Sequence, residues 1–191
     1  DHNGFIWMGT RTGGLNRYDG YSFTQFYQNS KDPYSVSGNE IINLFEDSQG
    51  SIWVSTRNAG LNLFDYRTER FKVFLHDPKD ESSLPNNTSK SIYEEEDGTL
   101  WIASNSGLCF FQRQDSAFVK VNNTLSNRSF GHISSIVNGG ENLIYLGTKN
   151  GIYLVNTKTK ETVKNYRKDE SLNSLSGNNV ETLYWDSRNR L

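Results

Sequence analysis

The sequence predicts an all-β protein, a partial β-propeller of about four four-stranded antiparallel blades. One motif recurs along the chain: an acidic turn, Gly, an apolar residue, Trp, a small residue and, a few positions later, Gly-Leu. A clear copy begins at Asp47-Ser48-Gln49-Gly50-Ser51-Ile52-Trp53 and reaches Gly60-Leu61. The aromatic residues of the successive copies are Trp7, Trp53, Trp101 and Tyr145. They stand 46, 48 and 44 residues apart, and such a period, built from short β-type runs, is typical of propellers with one blade per repeat.

The second repeat shows the four predicted strands of a blade. The turn at 47–50 begins with Asp, which caps the backbone, and ends with Gly, which tolerates the geometry that follows. The last run alternates charged and apolar residues, which predicts a half-exposed outer strand. From the inner to the outer strand, the predicted runs are Ile41–Phe45, Ser51–Ser55, Leu61–Asp65 and Arg70–Phe74.

We expect one propeller fragment over residues 1–191. Its approximate repeats are 1–40, 41–87, 88–132 and 133–179, with the start of a fifth at 180–191. The first repeat lacks an inner strand, and Val180–Trp185 is predicted to be an inner strand that completes the first blade, within the chain or in a second copy. An unpaired strand edge attracts other chains, so we expect self-association through the open edges or as a sensor dimer.

The repeat aromatics have an expected structural role in the wedge between blades. A buried Trp removes roughly 150–250 Å² from water, which is worth about 4–6 kcal/mol before entropy. Stacking on a sugar is the alternative role for these rings. The small residues two positions after the aromatics let neighbouring sheets approach closely; they are Gly9, Ser55, Ala103 and Gly147.

Composition narrows the possible functions. The net charge of −2 gives no general attraction to nucleic acid, and no apolar run is long enough to predict membrane contact. The chain begins inside a repeat, so we expect the true N-terminus to lie upstream. The histidines His2, His76 and His132 take different repeat positions without metal-ligand spacing. No nucleophile–base pair is evident either, so we predict no metal, no cofactor and no catalytic residue.

Four polar residues are candidates for ligand binding. They stand four positions after each repeat aromatic: Arg11, Arg57, Asn105 and Lys149. Each ends the second strand of its repeat at the turn into the third, on the face that we expect to carry the blade-to-blade linkers. Two guanidiniums, an amide and an ammonium suit a carboxylate or sulfate on an acidic glycan. The alternative is that these turn positions are polar without binding anything.

Three segments carry a resemblance to a known family. They are Ile52-Trp53-Val54-Ser55-Thr56, Gly60-Leu61-Asn62 and Ser174-Leu175-Ser176-Gly177-Asn178-Asn179-Val180. The chain resembles two-component regulator propeller repeats, which implies a fragment of a seven-bladed propeller. It also implies a periplasmic sensor region of a hybrid two-component histidine kinase of the Bacteroidetes type. In that family the sensor region responds to oligosaccharides from polysaccharide breakdown.

The resemblance implies that this fragment senses a ligand and is not itself an enzyme, although its parent protein is a histidine kinase. Two alternatives remain. One is a propeller that acts as a protein-interaction scaffold, and the other is a propeller glycosidase or lyase, since fold alone does not decide function. Saturable binding of an oligosaccharide favours the sensor over the scaffold. A central cleft with several carboxylates and aromatic rings favours the enzyme.

Overall fold

The computed structural model describes residues 1–172, 174–188 and 190–191. Fifteen strands form within these residues. They are β1 (Ile6–Gly9), β2 (Leu15–Tyr18), β3 (Phe23–Phe26), β4 (Ile41–Glu46), β5 (Ile52–Thr56), β6 (Gly60–Asp65), β7 (Arg70–Phe74), β8 (Ser89–Glu94), β9 (Leu100–Ser104), β10 (Gly107–Gln112), β11 (Ala117–Val121), β12 (Ile133–Asn138), β13 (Leu143–Thr148), β14 (Gly151–Asn156) and β15 (Thr162–Tyr166).

The strands form four separate antiparallel sheets, each of which connects neighbours in chain order. Blade 1 is the three-stranded sheet β1–β3, and blades 2, 3 and 4 are the four-stranded sheets β4–β7, β8–β11 and β12–β15. The predicted partial propeller is therefore confirmed, including the missing inner strand of the first blade. The predicted strands of the second repeat agree with β4–β7 to within one residue at each end.

Glycine at the start of the third strand lets the β5–β6 hairpin close. Gly60 has a φ of 93°, in the left-handed region. A Cβ atom at this position would lie 2.3 Å from the carbonyl oxygen of Phe74 on the outer strand. A side chain here would therefore push the outer strand away.

The linkers between blades are fastened to these hairpins by a repeated backbone hydrogen bond. The amide of Gly60 donates to the carbonyl of Asn87 in the next linker at 2.9 Å. In the same way Gly14 donates to Asn39 at 3.1 Å, and Gly151 donates to Asn178 at 2.7 Å. The hairpins that contain Gly14, Gly60 and Gly151 and the linkers that follow them thus lie on one face, which we call the linker face.

The core consists of three apolar clusters, one between each pair of consecutive blades. Trp53 and Trp101 are almost completely buried, at 1% and 0% exposure. The ring of Trp53 lies 5.1 Å from that of Phe111 in the next blade. Trp7 is only half-buried, because blade 1 has no inner strand among the described residues.

Close approach between blades occurs where small residues follow the repeat aromatics, as the sequence predicts. A Cβ atom added to Gly9 would lie 2.5 Å from Cγ2 of Ile41, on the inner strand of blade 2. One added to Gly147 would lie 3.1 Å from Cγ1 of Val180. Val180 therefore packs on blade 4 as Ile41 packs on blade 1.

The prediction that Val180–Trp185 forms a strand and completes blade 1 within the chain is wrong. This segment has no strand structure, and among the described residues β1 pairs with β2 alone. The amide of Val180 donates to the carbonyl of Thr148 at 2.9 Å, so the segment follows blade 4. Without a second strand of its own sheet among the described residues, it has no ladder to join. Completion of blade 1 by a second copy stays a prediction.

Removing the indole of Trp53 should destabilise the protein by about 3–5 kcal/mol, because it opens a cavity between blades 2 and 3. Thermal and urea unfolding of Trp53→Ala would measure this loss. Trp185→Ala is the matched control and should cost much less, since the Trp185 ring lies at the open side of blade 4, where it donates to the carbonyl of Asn138 at 2.6 Å in an exposed hydrogen bond. Unfolding curves for Trp53→Ala that overlay those of the wild type would contradict the wedge role.

Candidate functional site

The inner strands β4, β8 and β12 each have a β-bulge near the end that lies at the linker face, and the bulge recurs at the same repeat position. The pairing register shifts between Ile41 and Asn43, between Ser89 and Ser91, and between Ile133 and Ser135. The bulged residues are Ile42, Lys90 and Ser134. Bulges are frequent beside binding sites, since they redirect a side chain.

In blades 2, 3 and 4 the inner strand pairs with the second strand. Just past the last pair of this ladder, at the linker face, two residues face each other. Because Ile41 pairs with Thr56, Glu40 and Arg57 come next, and the amide of Arg57 donates to the carbonyl of Glu40 at 2.9 Å. The equivalent residues are Thr88 and Asn105 in blade 3, and His132 and Lys149 in blade 4. Three of the four predicted ligand residues therefore belong to these facing pairs.

The structure brings Arg11 and Arg57 together around one carboxylate. The Nε atom of Arg57 donates to Oε1 of Glu40 at 2.6 Å, and the Nε atom of Arg11 lies 4.0 Å from the same oxygen. The Arg11 side chain is 90% exposed and that of Arg57 is 45% exposed. The two guanidiniums can still offer free N–H groups to solvent, but Glu40 offsets part of their charge.

Asn105 and Lys149 occupy the next two blades. The backbone N–H of Asn105 donates to the carbonyl oxygen of Thr88 at 3.2 Å. The side-chain oxygen Oδ1 of Asn105 is buried and has no hydrogen-bond partner among the described residues. Lys149 is exposed. Within the described chain, no hydrogen bond or ion pair joins either side chain to the arginine pair.

Sequence reasoning missed His132, which lies beside Lys149. Burial lowers the pKa of His132 below its ordinary value of 6.5, and the positive charges of Lys149 and Lys90 lower it further, while Glu181 opposes them. At neutral pH this histidine is therefore mostly uncharged. The signal in the sequence was its repeat position, which matches that of Glu40 in blade 2.

On the opposite face, a carboxylate in the acidic turn of each of the first three repeats accepts the indole N–H of the repeat Trp. The distances from Nε1 are 2.5 Å for Trp7 to Asp1, 2.8 Å for Trp53 to Asp47 and 2.7 Å for Trp101 to Glu95. The sequence predicts the turn at 47–50 but not this second role of its Asp. In each case the acidic residue stands six positions before the Trp, which is the sequence signal of the contact.

Each of these carboxylates also accepts a hydrogen bond from a side chain of the following blade. We call this contact of the carboxylate, the Trp and the second donor a latch. The donors are Tyr66 to Asp1 at 2.6 Å, Arg113 to Asp47 at 3.0 Å and Thr157 to Glu95 at 2.5 Å. All three donors take one repeat position, just after the third strand of the blade. Every latch thus joins two consecutive blades.

In the Asp47 latch the carboxylate is fully buried, because the Asp47 side chain is 0% exposed. Burial acts to raise the pKa of Asp47, but hydrogen bonds from Trp53, Ser51 and Arg113 outweigh it and hold the pKa below its ordinary value of 3.8. Arg113 also contacts Glu94 at 3.3 Å. Glu94 in turn accepts the backbone N–H of Ser48 in blade 2 at 2.6 Å and its hydroxyl at 2.8 Å, which adds a second contact between blades 2 and 3.

Among residues 1–172, 174–188 and 190–191, no three side chains of His, Cys, Asp or Glu gather as a metal site. In the same described residues, no helix has the length and apolar character needed to cross a bilayer.

Comparison with known families supports the resemblance. The family model described as "Two component regulator propeller" matches residues 35–58 and 83–106. These segments contain the linker, the inner strand and the Trp-bearing second strand of blades 2 and 3. Residues 35–58 and 83–106 therefore match the two-component regulator propeller repeat, as predicted. None of the curated proteins compared matches the chain.

Solved structures with a similar fold include extracellular domains of two-component systems and a lyase. The extracellular domain of the hybrid two-component system BT3049 from B. thetaiotaomicron is 25% identical, with a TM-score of 0.83 over 99% of this chain and 26% of that one. The extracellular domain of BT4673 from the same organism is 24% identical, with a TM-score of 0.69 over 86% of this chain and 24% of that one. Virginiamycin B lyase from Staphylococcus aureus is 15% identical, with a TM-score of 0.63 over 91% of this chain and 55% of that one.

The chain thus spans about a quarter of the length of the two extracellular domains. It is similar in structure to extracellular domains of hybrid two-component systems over almost all of its own length. Its likeness to the lyase concerns the fold alone.

Acid should weaken the Asp47 latch. Because the folded-state pKa of Asp47 lies below 3.8, the stabilisation is fully present above the unfolded-state pKa and is lost as the pH falls through the folded-state value. Asp47→Asn should therefore lower the free energy of unfolding by about 1.5–3 kcal/mol at pH 7. The difference from wild type should shrink below about pH 4.

Urea unfolding of both proteins at several pH values between 7 and 3 measures this difference. Asp115→Asn is the control, since Asp115 is exposed in the turn between β10 and β11. A difference between wild type and Asp47→Asn that stays constant down to pH 3 would contradict the role of the Asp47 charge.

Proposed function

We propose that this chain is part of the periplasmic sensor region of a hybrid two-component system and responds to oligosaccharides derived from polysaccharides. The observation that carries the proposal is the fit of 99% of the chain to the extracellular domain of such a system. The two matched propeller repeats support it independently. The parent protein would then be a histidine kinase, and this fragment would contribute ligand recognition and no chemistry.

The linker face is the proposed ligand surface. It gathers side chains from successive blades within short distance of the inner strands, and its two arginines are solvent-exposed around Glu40. A guanidinium binds carboxylate or sulfate through two parallel hydrogen bonds. An acidic sugar would compete with Glu40 for these donors, so binding should strengthen if Glu40 is neutralised.

Signal transfer would proceed by movement of whole domains. Apolar clusters and latches join each pair of consecutive blades, so blades resist changes of shape. A ligand shifts an equilibrium only by binding two arrangements with different affinity. We therefore propose rigid-body rotation or sliding between propeller domains or subunits, with the linkers 31–38, 79–86 and 168–177 as the contact points.

Calorimetric titration with acidic and neutral oligosaccharides tests the proposal. We expect saturable binding that falls at least about tenfold in the Arg11→Ala/Arg57→Ala double variant, which loses two charge-assisted donors. Glu40→Gln should increase affinity for the acidic ligands. Arg67→Ala is the matched control, because Arg67 is an exposed arginine at the opposite end of β6, and it should leave binding unchanged.

Equal binding by the wild type and the double variant would eliminate the arginine site. Absence of saturable binding to any oligosaccharide would favour the scaffold alternative. The same mixtures should be examined by chromatography for new reducing ends or unsaturated products. Turnover that scales with protein concentration and survives repurification would support the glycosidase or lyase alternative instead.

A further inference from the structure

Positive charge is distributed unevenly around the linker face. In blade 2 the guanidinium of Arg57 is paired with Glu40 at 2.6 Å, and Arg11 lies 4.0 Å from the same carboxylate. In blade 4 the equivalent positions hold His132 and Lys149. Within the described residues, no ion pair closer than 4.0 Å engages Lys149 or Lys90. The cationic side chains at this end therefore lack the internal counter-ion that the arginine pair has.

Three elements bring these cations together. Ile133 pairs with Thr148, so His132 and Lys149 face each other just past the end of the ladder. Lys90 is the bulged residue of β8, the inner strand of the preceding blade. The strands β8 and β12 lie side by side, since the amide of Ile136 donates to Oγ of Ser91 at 3.2 Å.

Two buried polar atoms in the blade of Lys90 have no hydrogen-bond partner among the described residues. They are Oγ of Ser89 and Oδ1 of Asn105. Both residues belong to blade 3 and flank the bulge that carries Lys90. Buried polar atoms in a native protein normally have a partner, so we expect ordered water to complete these two.

We propose that Lys90, His132 and Lys149 form a binding site for the anionic group of a saccharide, a carboxylate or a sulfate ester, and that binding takes up a proton at His132. The proposal rests on the proposed sensor function and adds an anion-binding site in blade 4 to the arginine pair. Two ammonium groups and a protonated imidazole would each donate to the anion.

The direction of the pH effect follows from the charges around His132. Burial, Lys149 and Lys90 disfavour its protonated form in the free protein, and only Glu181 favours it. A bound anion would add an opposite charge beside the imidazole and so raise its pKa. Affinity should therefore increase as the pH is lowered from about 8 to about 5.5, whereas uronate and sulfate groups stay ionised throughout this range.

NMR titration of the histidine ring protons tests the site directly, with sodium glucuronate, glucose 6-sulfate and glucose as probes. His132→Gln identifies the His132 signal among the three histidines. We expect at least one of the two anionic sugars to raise the pKa of His132 by about one pH unit, and glucose to leave it unchanged. The probe that acts distinguishes carboxylate from sulfate.

Lys90→Met and Lys149→Met should each weaken binding of that probe about tenfold. Lys158→Met is the matched control on the opposite side of blade 4 and should have no effect, since Lys158 is exposed in the β14–β15 turn. An unchanged His132 pKa with both anions, or a shift that persists in both lysine variants, would overturn the proposal.

Two outcomes separate this site from the proposed function. Saturable binding of a neutral oligosaccharide, with no effect of anions on His132, would retain the sensor function and reject the anion site. A shift of His132 with glucuronate, together with no binding of any oligosaccharide, would retain the site and reject the sensor function.

Discussion

The structure depends on a carboxylate that each of the first three blades uses to hold the next one. Asp1, Asp47 and Glu95 each accept the indole N–H of their own repeat Trp and a donor from the following blade. The same carboxylate therefore fixes the orientation of the aromatic wedge and the distance to the neighbouring sheet. A buried carboxylate is costly to leave unpaired, which makes any other arrangement of the two blades unfavourable. Blade 4 has Gly139 in the acidic position and Tyr145 in the Trp position, and the 180–185 segment beyond it forms no strand.

The latches act at one face, and the hydrogen bonds between hairpin glycines and linker asparagines act at the other. Between them, contacts such as Ile41 against Gly9 set the spacing of the inner strands. Each blade is thus held to its neighbour at both faces and between them. The side chains just past the ends of the inner strands therefore have a defined position. This rigidity allows Glu40 to lie between two arginines from different blades, and His132 to lie near a lysine from each of two blades. The charge pattern of the linker face is thus a product of how blades are stacked.

Much of this fold follows from the sequence, because the blade is a local structure. The spacing of Trp53 from the acidic turn and from Gly60 predicts two hairpins, and the small residue at position 55 predicts close packing. The latch donors Tyr66, Arg113 and Thr157 could not be predicted, since three unrelated side chains share only a donor group and meet their acceptor across blades. Glu40 was missed for the same reason, as its pairing with Arg11 depends on blade rotation. Val180–Trp185 has β-type composition, but a strand requires a partner that composition does not supply.

The central claim is that Asp47 couples blade 2 to blade 3. A double-mutant cycle with Asp47→Asn, Arg113→Gln and the combined variant, followed by urea unfolding at pH 7, measures this coupling. The latch predicts an interaction free energy of about 1–3 kcal/mol, since both side chains share one buried contact. Additive effects of the two substitutions, within about 0.3 kcal/mol, would show that the blades hold together without the latch and would contradict the account.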